Sequence, residues 1–334
     1  MIQGRMVNQK VRIYDKKAIS SLHGQGFGTI KKGYLDLNLL EAAHLIERDK
    51  LEVSIELVKM KTVKMSFVDF LKLASKVEEN FETERMVYND LKNRGYPISL
   101  TKDFFETREK KIKAFSENDI FDFSKIVRIL KKNKNFVACI VDEESDITSY
   151  LLSLFRPRRP QKPPKKPVTE SKTNLLSTRV VSEDPFNDDF GISLGPFHEL
   201  SLIEALYLIK KDRITVMDKN ENENEKKINE KDLFEIGKKK QKDFELIYRG
   251  YESLRDLGYV PKTGFKYGTH FRVYDFSIDR IHAPYLAHCY PKKSRVRWSE
   301  ISRASRLAHS VKKKILFTVV GDEINYIKCE RIKV

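Results

Sequence analysis

The sequence predicts a mixed α/β (α+β) fold made of two tandem homologous repeats, each a small α/β N-terminal portion followed by an α/β C-terminal portion. Three observations carry the prediction. Gly28 and Gly191, Glu41 and Glu204, and Gly95 and Gly258 stand at one spacing, 204 − 41 = 163 for the glutamates. Both halves alternate short β-branched and aromatic runs with segments of helical periodicity. Between them, residues 156–167 are dense in proline and positive charge, which denies a helix its hydrogen bonds and favours a semi-extended, solvated spacer. The expected division is a non-catalytic structural repeat at 1–153, a linker at 154–180 and a second repeat at 181–334.

In chain order, Val11–Tyr14 reads as the first strand. The Gly24–Gly28 stretch lacks the Gly-Lys-Ser/Thr ending of a phosphate loop and reads as a strand-to-helix turn. Leu39, Leu40, Ala43, Leu45 and Ile46 then mark an amphipathic helix. Helices follow at Phe67–Val77 and Thr83–Arg94, the latter ended by Gly95, and the repeat closes on the strand Phe136–Val141. The second copy matches, with Asp232-Leu233-Phe234 against Asp69-Phe70-Leu71 and a closing strand at Ile315–Val320. Near the end Gly321–Glu323 aligns with Val141–Glu143 at 321 − 141 = 180, so copy two gains 180 − 163 = 17 residues between Tyr259 and Asp322.

Sixty-four Lys and Arg against 48 Asp and Glu give a formal charge of +16, which favours a polyanionic partner through phosphate contacts and counterion release. The mean hydropathy of −0.51 fits a water-soluble protein. No apolar run of about 18 residues is present, so no membrane span is expected. The N-terminus lacks an apolar signal core, and Cys139, Cys289 and Cys329 form no CxxC pair. The expectation is a cytoplasmic protein with neither a disulfide framework nor a structural zinc.

Four of the seven histidines, His270, His282, His288 and His309, fall within residues 264–314, where the extra residues of copy two also lie. Phe271–Tyr274 alternates as a strand that puts Arg272 and Tyr274 on one face. A turn over 275–281 leads to a second strand opened by His282, with Pro284 suggesting an edge or a bulge. The helix starting near Trp298 buries Trp298, Ile301, Ala304, Ala308 and Val311, and lines Arg303, Arg306, Ser310 and Lys313 along a second, basic face. A tyrosine, a histidine and a lysine on such a face suit phosphodiester cleavage without metal: a base for a ribose 2′-OH, an acid for the departing 5′-oxygen, and a cation for the transition-state charge. Packing for Tyr274 and dipole capping for Lys313 remain the alternatives. A zinc site from His282, His288 and Cys289 is disfavoured, because consecutive strand residues face opposite ways. Asp275 and Asp279 are too few for a metal-dependent nuclease.

Residues 258–274 (GYVPKTGFKYGTHFRVY), 281–290 (IHAPYLAHCY), 298–320 and the EALYLI segment at 204–209 resemble the catalytic repeat of the archaeal tRNA-splicing endonucleases. The likeness spans most of 195–334 and, more faintly, 1–150. It implies a nuclease-like C-terminal portion with Tyr274, His282 and Lys313 as the catalytic triad, and no metal or cofactor. His270, before the strand, is the rival histidine and is assigned a structural role. The family also clamps a bulged base between two cations, one matching Arg306, the other Lys328 or Arg331, with Arg303 alongside. Lys312 stands where the family often has Arg. At the 163 offset Tyr274 and His282 fall on Lys111 and Asp119, and at 180 Lys313 falls on Asn133, so copy one lacks the triad. That pattern resembles the two-repeat homodimeric members, whose acidic loop, here Asp142, Glu143, Glu144 and Asp146, docks on a basic groove of the catalytic repeat. The implied partners are precursor tRNA with a bulge-helix-bulge and a second copy of the chain. The alternatives are a non-catalytic RNA-binding subunit and a metal-dependent DNA nuclease. Light scattering in solution is expected to return twice the 39.1 kDa chain mass.

Overall fold

A computed structural model of the chain describes residues 1–57, 61–101, 103–156, 171–183, 190–219, 225–275 and 282–333. The first repeat opens with β1 (Ile2–Val7), β2 (Lys10–Ile13), α1 (Lys16–Gly24), β3 (Thr29–Lys31), β4 (Tyr34–Leu37), α2 (Leu39–Glu47), β5 (Leu51–Leu57) and β6 (Lys61–Lys64). These strands form one sheet in the order β3-β4-β2-β1-β5-β6. The first strand is therefore β1, not Val11–Tyr14. Gly4 and the polar Gln3 and Arg5 blur its alternation, yet it pairs with β2 antiparallel and with β5 in parallel. Helices α3 (Phe67–Val77) and α4 (Phe81–Asn93) follow; α4 starts two residues before the predicted Thr83 because Phe81 is buried.

The C-terminal portion contains β7 (Ser99–Leu100), β8 (Phe105–Glu106), β9 (Lys111–Ser116), β10 (Ile120–Asp122), α5 (Phe123–Asn133), β11 (Asn135–Val141) and β12 (Ile147–Leu154). The second repeat runs through β13 (Ser171–Leu175), β14 (Arg179–Ser182), β15 (Ile192–Leu194), β16 (Phe197–Ser201), α6 (Leu202–Lys210), β17 (Ile214–Lys219), β18 (Glu225–Ile228), α7 (Glu230–Lys240) and α8 (Phe244–Asp256). It ends with β19 (Tyr259–Thr263), β20 (Phe271–Asp275), β21 (Tyr285–Pro291), β22 (Arg295–Arg297), α9 (Trp298–Ser310), β23 (Lys314–Val320) and β24 (Asn325–Ile332). Its small sheet, β15-β16-β14-β13-β17-β18, repeats the order of the first. Strands β13 and β14 thus draw residues 171–180, expected in the linker, into the second repeat. The proline-rich run at 157–170 lies outside the described residues.

The duplication is visible in single contacts. Gly28 and Gly191 both have positive φ, 70° and 62°, and each donates its N–H to the matching glutamate, Glu41 at 2.8 Å and Glu204 at 3.0 Å. Each glutamate also closes a capping box at the start of α2 or α6, with Asn38 and Ser201 as the N-caps. A Cβ at Gly28 would stand 2.8 Å from the Leu35 side chain, and one at Gly191 would meet the Glu199 carbonyl oxygen. The conformation and the space both require glycine there.

The two C-terminal portions share one ten-stranded sheet, β19-β20-β21-β23-β24-β12-β11-β9-β8-β7, joined where β12 and β24 pair antiparallel from Ser149↔Ile332 to Leu154↔Ile327. Helices α5 and α9 cover one face around a common core in which Trp298 of copy two packs tilted against Phe115 and edge-to-face against Phe121 of copy one, with centroids 4.7 and 4.8 Å apart. The α9 N-cap, Arg297, makes no side-chain cap. Instead the first helical N–H groups, of Trp298 and Ser299, donate to the carbonyls of Asp119 and Glu117, both at 3.0 Å. Copy one caps the helix of copy two.

Register corrects the alignment. Strands β11 and β23 begin 314 − 135 = 179 positions apart, not 180, so Lys313 corresponds to Lys134 rather than Asn133. In the sheet β8 matches β20 and β9 matches β21, so Lys111 in β9 is no counterpart of Tyr274, nor does Asp119, beyond β9, stand for His282. β8 ends at Glu106, and a tight turn closed by Thr107 N–H to the Lys110 carbonyl occupies the place of the longer β20–β21 connection.

Helix α9 stops at Ser310, three residues short of the predicted basic stripe. Lys312 N–H donates to the His309 carbonyl and Lys313 N–H to that of Ala308, a Schellman ending with Lys312 at φ 55° where glycine is usual. Lys312→Gly is expected to raise unfolding stability by about 1 kcal/mol by relieving the left-handed strain. A denaturant midpoint that falls would show that the Lys312 side chain holds a contact worth more than that strain.

Candidate active site

Strand β20 places Tyr274 one residue before its end, on the face that α9 covers. Arg272 shares that face, because its register partner Leu286 packs in the core with Trp298 and Ile301. Tyr274 is buried with Val260 and Ala283 in a small cluster of its own. Pro284 precedes β21, which is a central strand between β20 and β23 and not an edge; the proline's missing N–H therefore falls outside the ladder. Its carbonyl accepts from Lys314 N–H at 3.0 Å, bringing the segment before β23 alongside. The Schellman turn then aims Lys313 inward, and its Nζ donates to the Ala283 carbonyl at 2.7 Å.

Ala283 thus links Tyr274 to Lys313. Tyr274 packs on it, Lys313 binds its carbonyl, and His282, exposed to solvent, is its neighbour in the chain. The predicted turn between Tyr274 and His282 lies, for residues 276–281, outside the described residues. Two further side chains frame the site. The Arg272 guanidinium carbon lies 5.8 Å from the Tyr274 ring centroid, and the Lys313 ammonium 5.9 Å from that of Tyr267. Sequence reasoning placed Arg272 correctly on the strand face but missed Tyr267. The tyrosine sits in a 3₁₀ turn (Phe265–Tyr267), too short for any periodic signal, and packs against the α9 core.

His270 takes a different part. Its ring stacks on His288 at 4.2 Å, His288 lies 4.8 Å from Tyr290, and Tyr290 stacks on Phe123 at 4.4 Å. Cys289 N–H donates to His270 Nδ1 at 2.9 Å. The ring is an acceptor for the backbone and so is neutral. Burial, with the neighbouring His288, pushes its pKa down to about 4, and burial lowers His288 as well. Cys289 points to the opposite face, against Gly250, which separates it from His288 as a metal partner.

On α9, Arg303, Arg306 and Ser310 are exposed on one face, whereas Lys313 lies beyond the helix and half-buried. Arg331 alternates with the core residues Ile327 and Cys329 on the α9 side of β24. Lys328 is on the other side and ion-paired to Glu330 at 2.6 Å. At the β11–β12 turn Glu143, Glu144 and Asp146 are exposed. Asp142 is turned inward, its carboxylate accepting from the N–H groups of Glu144 and Asp146 at 3.1 and 2.9 Å. It shapes the loop and leaves the display of charge to the other three.

A family model for the tRNA intron endonuclease catalytic C-terminal domain matches residues 244–326, and one for the N-terminal domain of the same family matches twice, at 2–71 and 190–228. The tRNA-splicing endonuclease of Methanosarcina mazei is 33% identical over 351 residues, covering 95% of each chain. That of Methanococcoides burtonii is 32% identical over 99% of this chain and all of its own. The chain belongs to the tRNA intron endonuclease family. The tRNA-splicing endonuclease of Pyrococcus horikoshii, 34% identical, aligns over 99% of its length with only 51% of this chain, so that relative is about one repeat long. The catalytic-domain match falls on the segment holding Tyr274, His282 and Lys313, and the doubled N-terminal match covers the first six-stranded sheet and strands β15 to β18 of the second. No helix among the described residues is long and apolar enough to cross a membrane.

The His270 contact has a pH signature. An unfolded histidine titrates near 6.5 while folded His270 resists protonation to about 4, so the unfolded chain binds more protons in between. Stability is complete above about pH 6.5 and is lost as pH falls toward about 4, with His288 adding in the same sense. Thermal unfolding scans over this range are expected to show that decline. They should show a shallower one in His270→Gln, which keeps an acceptor but does not titrate; an unchanged slope would remove His270 as its source.

Proposed function

We propose that the chain cuts precursor tRNA at exon–intron junctions, at a bulge-helix-bulge, without a metal ion, leaving a 2′,3′-cyclic phosphate and a 5′-hydroxyl. Family membership supports endonuclease activity on tRNA introns. The observation that supports the chemistry is that Tyr274 packs with Ala283 and Lys313 binds its carbonyl, with exposed His282 the preceding residue. In this reading Tyr274 takes the proton from the ribose 2′-OH, and the freed oxygen attacks phosphorus. The P–O5′ bond breaks, and His282 in its protonated form gives a proton to the leaving 5′-oxygen. Lys313, already directed inward by its turn, offsets the charge that grows on the non-bridging oxygens.

Exposed His282 suits an acid that must be reprotonated by solvent after each turnover. The exposed guanidinium groups of Arg303 and Arg306 suit contact with the RNA backbone or with flipped bulge bases, and Arg331 is better placed than Lys328 to extend that face, since Lys328 is held by Glu330. Two copies of the chain would supply two such sites, with Glu143, Glu144 and Asp146 of each first repeat answering a basic groove of the other copy.

Cleavage of a bulge-helix-bulge RNA in excess EDTA tests the reading. Wild type is expected to cut, and His282→Ala to lose about 100-fold or more, the scale of a general acid. For Lys313→Ala the cleavage rate should fall more than RNA affinity. Activity restored only by added Mg²⁺ would favour a metal-dependent nuclease, and binding without cutting would favour a non-catalytic subunit. Equal losses of rate and affinity would move Lys313 from chemistry to binding.

A further inference from the structure

The loop between β19 and β20 differs between the repeats in a way that the triad does not explain. In copy one the corresponding segment, 101–104, is short. It is closed by Thr101 N–H to the Phe104 carbonyl at 3.0 Å, and Phe104 is tucked into the α5/α9 core. In copy two the segment is 264–270. Tyr267 fills the same core, and the longer loop lifts Phe265 out to 87% exposure, the highest of any large apolar side chain among the described residues. Single exposed apolar residues are common, but this one is rigidly mounted. Gly264 N–H donates to the His270 carbonyl, and the Gly264 carbonyl accepts from Tyr267 N–H at 2.8 Å. Gly268, at φ 60°, donates to the Phe265 carbonyl at 3.0 Å. Exposed Lys266 stands beside it, and Tyr267, next along, has the Lys313 ammonium 5.9 Å from its ring.

An exposed aromatic ring held on a hydrogen-bonded turn, with an exposed lysine next in the chain and two residues before the tyrosine that faces Lys313, fits one kind of ligand. We propose that Phe265, flanked by Lys266, is a stacking platform for an unpaired nucleobase of the substrate RNA beside the scissile phosphate. Splayed bases in RNA stack on aromatic side chains with little regard to base identity, and the adjacent lysine answers the backbone charge. The loop therefore selects for an unpaired nucleotide at a set distance from the cut. The inference rests on the reading of the chain as an RNA endonuclease.

The full chain, with His282→Ala as background to hold substrate uncut, is titrated with a bulged RNA carrying 2-aminopurine at each unpaired position in turn. One position is expected to be quenched on binding. In Phe265→Ala that quench should vanish and affinity for the bulged RNA fall about tenfold, within the range of a lost base stack. Affinity for an unbulged duplex should hold, and Phe265→Tyr should behave as wild type. Because the Phe265 ring is almost wholly exposed, the unfolding midpoint of Phe265→Ala should not move. Unchanged affinity and fluorescence at every position would overturn the proposal. So would a fall in solution mass for Phe265→Ala, which would give the ring to a contact between copies. A chain that binds and quenches but never cuts with His282 intact would keep the platform and sink the cleavage reading instead.

Discussion

Strand β24 lies against β12 over six residue pairs, and this antiparallel contact turns two five-stranded sheets into one of ten. Left alone, each of these strands would present a row of unpaired backbone groups, an open edge that invites misassembly. Trp298 completes the joint: fully buried, it inserts between aromatic side chains of the other repeat, and the N-terminus of its helix is capped by the other repeat's carbonyls. Truncating a buried tryptophan of this kind costs about 3–5 kcal/mol. The helix whose C-terminal turn aims Lys313 is therefore anchored at its other end by the first repeat. Position in the site and integrity of the joint are coupled through one rigid element.

The repeats share a scaffold and differ at its connections. Gly28 and Gly191 make the same bond to the same glutamate, yet Lys262 adds an ion pair to Glu204 at 2.9 Å. That charge holds the Glu204 carboxyl below its ordinary range despite deep burial, whereas burial raises Glu41. The additions to copy two are spread out. Phe105 and Phe271 stand 271 − 105 = 166 apart, Ile112 and Ala287 287 − 112 = 175, and the closing strands 314 − 135 = 179. The largest step falls between β20 and β21, where Tyr274 and His282 sit. The connections lengthen while the sheet keeps its order.

Much of this was legible in the sequence, for reasons that can be named. Helix Phe67–Val77 carries a helical period and a serine cap, and the two closing strands are short unbroken apolar runs rich in β-branched residues. The duplication survived because its markers are residues the backbone cannot replace, such as the left-handed glycines. Strand β1 was hidden by polar residues on its open face, and α9 was overextended because Lys313 happens to continue the helical spacing after Lys312 has already broken the helix. Tyr274, His282 and Lys313 stand out by pattern and resemblance. The packing of Tyr274 with Ala283, the Lys313 bond to the Ala283 carbonyl and the place of Tyr267 are tertiary facts with no local signature.

The joining of β12 to β24 within one polypeptide has a consequence for concentration. Two separate chains meeting edge to edge come apart when diluted, and their pairing must be strong enough to survive that. Covalent connection replaces this demand with a fixed effective concentration that dilution does not touch. Under such a tether neither face of the seam has to recognise a copy of itself, so each can change alone. The unequal connections of the two halves are what that freedom permits.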